Sequence, residues 1–200
     1  MKKIILGLII GSMGLISCSS DEGNEDQQPQ GNDPVNGSEW VFKVSKFNES
    51  GSVIDSFNVT LVASETTIGG SAWLNLVEQS GNTTAISIQK RSDGWWFIPS
   101  SETQASLWYK TPATAGDTYQ NIYGTCVVVE TDTSIVLPAG VFENVSFIEG
   151  YDTNSLENEY WFTDEGPVLV KQNTYDQVSG QPDQSVVYKK ESWELISFTQ

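Results

Sequence analysis

The chain has 200 residues, the size of one ordinary domain, with 26 acidic residues, 10 basic residues and no histidine, for a formal net charge of −16. This charge argues against nucleic acid as a partner, because the field of the protein repels a phosphate backbone. The absence of histidine excludes a Ser-His-Asp relay and every histidine-ligated zinc, copper or haem site.

Residues 1–17 have the pattern of a secretory leader. Lys2 and Lys3 supply positive charge, and the apolar stretch over 4–16 is shorter than the roughly 20 residues of a transmembrane helix. The stretch runs into Leu-Ile-Ser-Cys at 15–18, which resembles the lipobox of bacterial lipoproteins. That resemblance implies cleavage before Cys18 and lipid on its thiol. We therefore predict a lipoprotein signal peptide over 1–17 and a membrane partner reached through lipid on Cys18.

Residues 18–38 form the next predicted segment, a lipidated cysteine followed by an acidic tether. The tether contains five acidic residues, no basic residue and almost nothing apolar, so it cannot bury enough surface to order itself. The Ser-Ser-Asp-Glu run after Cys18 resembles the signal that routes Bacteroidota-type lipoproteins to the outer leaflet of the outer membrane. This resemblance implies a lipid-anchored protein that faces the cell exterior, with the periplasmic-facing leaflet as the alternative.

From residue 39 onward, apolar residues recur at every second position in short runs separated by turn residues. This two-residue period is typical of β-strands that are buried on one face. We expect about eleven strands. Twelve segments carry the pattern, namely 40–44, 53–63, 72–78, 84–91, 95–98, 107–110, 122–131, 134–137, 142–149, 160–163, 168–175 and 185–198.

The fold class follows from these strands and from the short connections between them. Short connections favour antiparallel neighbours, because parallel pairing needs crossovers of a dozen or more residues. We predict an all-β fold in which residues 39–200 form a single antiparallel, mostly meander domain. The sheet is expected to be strongly curved or to close into an open barrel, which hides edge strands; a two-sheet sandwich is the alternative.

Three stretches in the second half of the chain form a recognisable series. They are Leu-Pro-Ala-Gly-Val-Phe at 137–142, Tyr-Trp-Phe at 160–162 with the Gly-x-x-Leu-Val-Lys run at 166–171, and Trp-Glu-Leu-Ile at 193–196. In that order they resemble a group of uncharacterised Bacteroidota lipoproteins and secreted proteins. The resemblance implies an antiparallel β domain and brings no established activity or catalytic residues.

The tryptophans are the candidate ligand-binding residues, namely Trp95, Trp96, Trp108 and Trp161. An indole ring can stack on the apolar face of a sugar while nearby amides bind the hydroxyl groups. Neighbouring residues of a strand face opposite sides of the sheet, so Trp95 and Trp96 cannot both fill one core. The alternative is that these large aromatic rings fill the interior of a wide β domain.

Acidic residues beside the predicted strands are candidates for a catalytic pair, since glycoside hydrolysis uses two carboxyl groups about 5–5.5 Å or 6.5–9.5 Å apart. None lies in a distinctive motif, and the candidates are Glu143, Glu149, Glu159, Asp164 and Glu194. The run 152–154, with Glu157 and Glu159, offers oxygens that suit calcium, but the EF-hand pattern needs another ligand and a glycine where Leu156 and Glu157 stand, so the match fails. Cys126 lies in a β-branched run and is expected to pack as a small hydrophobic residue. We therefore predict no catalytic residue, metal ligand or cofactor.

These observations predict a cell-envelope lipoprotein with a non-catalytic binding or structural β domain, whose ligand is a glycan or another extracellular molecule. The alternative is a carrier of lipid or another apolar small molecule, which needs an apolar lumen of several hundred Å³. A glycoside hydrolase-like enzyme is the third hypothesis. The oligomeric state and the identity of the ligand stay open.

Overall fold

The computed structural model describes residues 32–81, 83–179 and 186–200. The predicted signal peptide, Cys18 and the first part of the tether lie outside these residues. Within the described ranges every regular element is a β-strand. No helix in them has the length and apolar character that crossing a bilayer requires.

The described residues form twelve antiparallel strands, compared with the approximately eleven expected. They are β1 (Glu39–Phe47), β2 (Val53–Ile68), β3 (Ser71–Glu78), β4 (Thr83–Arg91), β5 (Gly94–Pro99), β6 (Ser106–Lys110), β7 (Thr118–Asn121), β8 (Gly124–Leu137), β9 (Gly140–Asp152), β10 (Ser155–Thr163), β11 (Leu169–Gln177) and β12 (Val187–Thr199).

All twelve strands belong to one sheet, in the order β6-β5-β4-β3-β2-β1-β12-β11-β10-β9-β8-β7. Strands that are consecutive in sequence are neighbours in the sheet, apart from β6 and β7, which stand at its two edges. The first strand, β1, also pairs with the last, β12. The sheet curves until these edges meet, which makes a nearly closed barrel. The predicted all-β, antiparallel, strongly curved meander is confirmed.

Side chains bridge the seam between β6 and β7. The hydroxyl group of Tyr119 donates a hydrogen bond to the carbonyl oxygen of Trp108 at 2.8 Å, and the backbone N–H of Ile122 donates to Ser106 Oγ at 3.0 Å. Each short edge strand therefore faces the other edge. This arrangement protects edges that would otherwise pair with a second chain.

The strand boundaries differ from the sequence prediction in the second half of the chain. Strand β7 was not predicted, because its Thr-Tyr-Gln-Asn sequence has no apolar alternation. The predicted segments 122–131 and 134–137 are one strand, β8. Asp132 has a positive φ of 56° there, and irregular register with β9 lets the strand continue where the sequence indicates a break.

Residues 150–159, which lie between two predicted strand segments, contain a tight hairpin turn between β9 and β10. Thr153 and Asn154 have φ values of 47° and 75° and join β9 to β10, which begins at Ser155. Two successive residues with positive φ are typical of hairpin turns whose twist matches that of the strands. The oxygens considered for calcium at 152–154 thus belong to a hairpin turn.

The barrel has two unlike ends. One, here called the closed end, carries the β10–β11 turn and residues 32–38, which lie against the sheet. Pro34 and Ser38 are buried there, the Gly37 N–H donates to the Ala63 carbonyl oxygen at 2.9 Å, and Asp33 forms an ion pair with Lys90 at 2.7 Å. The opposite end, called the open end, carries the β3–β4 and β11–β12 turns.

The core is the interior of the barrel. On β1 the alternating residues Trp40, Phe42 and Val44 point inward and are at most 3% exposed. The same alternation recurs on other strands, and most of the buried apolar residues form one cluster. Burial of this shared face is the main force that holds the sheet in its curved form.

Candidate functional site

A cavity of about 310 Å³ lies inside the barrel, and it is the candidate binding site. Its wall is mainly apolar and includes the aromatic residues Trp40, Phe42, Phe97, Trp108, Tyr160 and Trp193. An apolar cavity of about 150 Å³ is large enough for benzene. By the same ratio, this cavity has room for an apolar molecule of roughly twelve carbon atoms.

The cavity is closed at one end by the backbone that follows β10. The indole N–H of Trp40 donates to the carbonyl oxygen of Pro167 at 2.8 Å, which ties β1 to the β10–β11 turn. Val168 has a positive φ of 64° in this turn and is 1% exposed, so its side chain faces the interior. A ligand therefore cannot pass this end without breaking a buried hydrogen bond.

Polar side chains of the wall lie toward the open end. Glu78 is the last residue of β3, Glu191 is near the start of β12, and Gln172 and Thr174 are on β11. Glu78 accepts a hydrogen bond from the Ser80 hydroxyl group, and Glu191 accepts one from the indole N–H of Trp193. The charged residues of the wall are thus both acidic.

Among the described residues, neither of these two glutamates forms an ion pair. Lys46 lies opposite Glu191 in the register of β1 and β12, but its ammonium group is 5.1 Å from the centre of the Phe57 ring. The negative charge at this end of the cavity is therefore not neutralised by a direct contact.

Two of the predicted ligand-binding tryptophans point into the interior. Trp108 is 7% exposed and lines the cavity. Trp95 is 2% exposed, lies toward the closed end with the Lys90 ammonium group 5.6 Å from its ring centre, and has an indole N–H without a partner among the described residues. Both rings are therefore in the interior, and Trp108 lines the cavity while Trp95 does not.

The other two predicted tryptophans lie on the outer face of the barrel. The Trp96 N–H donates to Asp93 at 2.9 Å, and the Arg91 guanidinium group is 4.3 Å from its ring centre. Trp161 stacks on Phe147 with ring centroids 4.8 Å apart. Trp96 is on β5 and Trp161 is on β10, so several strands separate them in either direction around the barrel. The four tryptophans do not share one surface.

Among the carboxylates considered for catalysis, Glu149 and Glu159 lie directly opposite each other on β9 and β10. Both are on the outer face, since their neighbours Ile148 and Tyr160 are buried inside. They do not line the interior cavity. Within the described residues, no group of three histidine, cysteine, aspartate or glutamate side chains is placed to hold a metal ion.

Cys126 is a core residue on β8 and is 1% exposed. The side-chain amide of Asn121 donates to its sulfur at 3.2 Å. Burial raises the pKa of the Cys126 thiol to about 11, so the reactive thiolate is scarce at neutral pH. This environment suits packing and not nucleophilic chemistry.

The sequence prediction missed most of the cavity wall. Trp40 and Trp193 were assigned to strands but not to a site, and Glu78 and Glu191 were not singled out. A local signal does exist, since each glutamate occupies an inward position of its strand, two residues from an apolar inward residue. That pattern is visible only once the inward face of each strand is known.

No family model matches the chain, and no curated protein matches it. Among solved structures, the chain is similar to a candidate exported protein of Bacteroides fragilis whose crystal structure is described as having a YmcC-like fold. The match covers 86% of this chain and 100% of that one, at 9% sequence identity and a TM-score of 0.46.

Proposed function

We propose that this protein is a cell-envelope lipoprotein whose barrel carries a lipid or another apolar molecule in its interior. The observation that supports the proposal is the cavity of about 310 Å³, lined mainly by aromatic and aliphatic side chains from nine of the twelve strands. Its size falls at the lower end of the range of ligand pockets. Protein interiors normally pack without voids of this size, so an unfilled cavity is costly unless it serves a ligand.

The geometry favours an interior ligand over a glycan held on the predicted tryptophans. Stacking on a sugar needs an exposed ring face, but Trp95 and Trp108 are buried. The outer rings of Trp96 and Trp161 are already covered in part by Arg91 and Phe147. Because these two rings lie far apart, they do not form one platform for an oligosaccharide.

The envelope location in this proposal rests on the sequence. The Leu-Ile-Ser-Cys run at 15–18 supports lipid on Cys18, and the acidic run that follows supports an outer-membrane anchor facing the cell exterior. The tether reaches the barrel at its closed end, through residues 32–38. The open end of the cavity is therefore at the far side of the barrel from the anchored chain.

We expect the purified protein to bind the uncharged apolar fluorophore N-phenyl-1-naphthylamine saturably. In the double variant Val59→Phe with Ile86→Trp, larger side chains enter the cavity, and affinity should fall about tenfold. This estimate assumes the loss of roughly 60 Å² of apolar contact, about 1.5 kcal/mol. Thr60→Trp is the matched control, because Thr60 points outward between the inward residues Val59 and Leu61. A fluorescence titration measures all three proteins.

Two outcomes would contradict the proposal. One is the absence of saturable binding by the native protein, and the other is equal affinity in the native protein and the double variant. Circular dichroism of the double variant shows whether the fold is kept. Mass spectrometry of protein purified from its own membrane should also release an apolar molecule in stoichiometric amount.

The acidic residues near the open end predict selectivity for the ligand's head group. Dodecylamine should displace the fluorophore about three to ten times better than dodecanoate. The Glu78 and Glu191 carboxylates belong to the cavity wall, where they attract a cationic head group and repel an anionic one. The double variant Glu78→Gln with Glu191→Gln should bind both amphiphiles with similar affinity. Competition titrations at low ionic strength check this, and a preference for dodecanoate would refute it.

A further inference from the structure

Exposed apolar side chains gather at the open end of the barrel, around the mouth of the cavity. Because neighbouring strands are antiparallel, the β1–β2, β7–β8 and β11–β12 turns all lie at this end. Among the described residues, nine large apolar side chains are exposed, and six of these lie in or beside the three turns. These six are here called the apolar rim, and they are Val53, Ile54, Phe57, Ile122, Tyr123 and Val186. Exposed apolar residues that are grouped in this way mark an interaction surface.

The β1–β2 hairpin carries half of the apolar rim and projects beyond the barrel. Strand β2 begins to pair with β1 at Val53, but its pairing with β3 begins only at Leu61. Residues 53–58 are exposed on both faces of the sheet, so the core does not cover this part of the strand. Its apolar side chains can therefore reach another surface without any rearrangement of the barrel.

The apolar rim is continuous with the cavity through Tyr123. This residue lines the cavity, and its ring centroid lies 5.8 Å from that of Phe97 in the core. Tyr123 is also 49% exposed, whereas the other described residues of the cavity wall are buried or half-buried. Ile122, its neighbour in the β7–β8 turn, is exposed as well. Apolar surface thus runs without interruption from the interior of the barrel to the outside.

Two lysines lie beside aromatic rings in the projecting hairpins. The Lys46 ammonium group is 5.1 Å from the centre of the Phe57 ring, and the Lys189 ammonium group is 4.6 Å from that of Phe47. Neither lysine forms an ion pair among the described residues. In surfaces that enter the head-group region of a bilayer, apolar side chains cover the lysine stem and the ammonium group contacts phosphate.

We propose that the apolar rim docks on a bilayer of zwitterionic phospholipids. Such a bilayer offers apolar depth to the rim and phosphate groups to the two lysines, and it has no net charge to repel a chain of net charge −16. A second copy of this chain fits the rim less well, because it carries the same large negative charge. In the docked state the mouth of the cavity faces lipid, so an apolar molecule enters the interior without crossing water.

Co-sedimentation with phosphatidylcholine vesicles tests the proposal. The described residues form a barrel with its own core, so the experiment uses the chain from Ser19 onward, which keeps all of them and has no cysteine to carry a lipid anchor at its start. We expect half of the protein to bind at about 1 mM lipid, more weakly than through a myristoyl chain. Exchanging about a third of the lipid for phosphatidylglycerol should weaken binding at low ionic strength, because the protein is acidic.

A matched pair of variants separates the apolar rim from exposed apolar residues in general. Ile54→Ser with Ile122→Ser removes two apolar side chains from two hairpins of the rim, and affinity for the vesicles should fall about tenfold or more. Val35→Ser with Val136→Ser removes two side chains that are 51% and 78% exposed at the closed end, and its affinity should equal that of the native chain. Equal losses in the two double variants, or no binding by the native chain, would overturn the proposal. So would self-association that the rim variant abolishes in the absence of vesicle binding.

A fluorescent label at one position reports the contact directly. A nitrobenzoxadiazole group attached to Ile54→Cys should brighten and shift to shorter wavelength when the vesicles are added, whereas the same label on Val136→Cys should not change. The native Cys126 is 1% exposed and does not compete for the label. An unchanged spectrum at position 54 would contradict docking through the rim. This measurement does not require an occupied cavity, so its outcome is separate from that of the N-phenyl-1-naphthylamine titration.

Discussion

Replacing Phe162 by alanine should lower the free energy of unfolding by about 3–5 kcal/mol. Phe162 is fully buried inside the barrel, and its ring centroid lies 4.8 Å from that of Tyr109, 5.3 Å from that of Trp108 and 5.5 Å from that of Tyr160. Truncation therefore removes one large apolar side chain and its contacts with three aromatic rings. Chemical denaturation followed by tryptophan fluorescence measures the loss.

Phe147→Ala provides the comparison for this prediction. Phe147 stacks on Trp161 with the same 4.8 Å centroid distance, but it lies half-buried on the outer face. Solvent fills the space that its side chain leaves, so the expected loss is about 1 kcal/mol. Similar losses for the two variants would mean that the interior aromatic cluster is not the centre of stability.

Gly94→Ala should destabilise the protein by at least about 3 kcal/mol. Gly94 has a φ of 139°, and a Cβ atom built on it would lie 2.1 Å from the backbone carbonyl oxygen of Tyr109. Because the obstacle is backbone in the paired strand β6, no side-chain rotation can relieve the contact. The β5–β6 pairing would have to move, and with it Trp95 and Trp108 in the interior.

Gly116→Ala separates the steric effect from the cost of the backbone conformation. Gly116 has a φ of 90°, but a Cβ atom there meets nothing within 4 Å. Its substitution should therefore cost only the strain of a positive φ, about 1–2 kcal/mol. Thermal unfolding of both variants checks the comparison, and an equal loss at the two sites would refute the role of the Tyr109 contact.

The strand content was largely predictable because it depends on a local period. Trp40, Phe42 and Val44 occupy every second position of β1, and the structure buries all three. The opposite directions of Trp95 and Trp96 also follow from the two-residue period. In contrast, Trp108 and Tyr109 are neighbours that are both buried inside, because a register irregularity between β5 and β6 shifts the alternation.

The missed elements share a physical cause. Strand β7 is held by pairing with β8 and by contacts across the seam, so its own sequence carries no apolar signal. Strand β8 continues through Asp132 because β9 supplies a long partner that tolerates irregular register. In both cases pairing with another strand overrides the local preference of the segment. That pairing is not visible in the sequence of the segment itself.

By itself, the sequence determined the all-β class, the antiparallel meander and the exclusion of histidine-based chemistry, because each depends on residue type or on short-range period. Only the tertiary structure decided that the edges β6 and β7 meet, and that closure leaves an interior cavity with acidic residues toward one end. It also brought exposed apolar residues of three hairpins together around the mouth of that cavity. These features depend on how side chains from distant segments share one enclosed space or one surface, which no single stretch of the chain encodes.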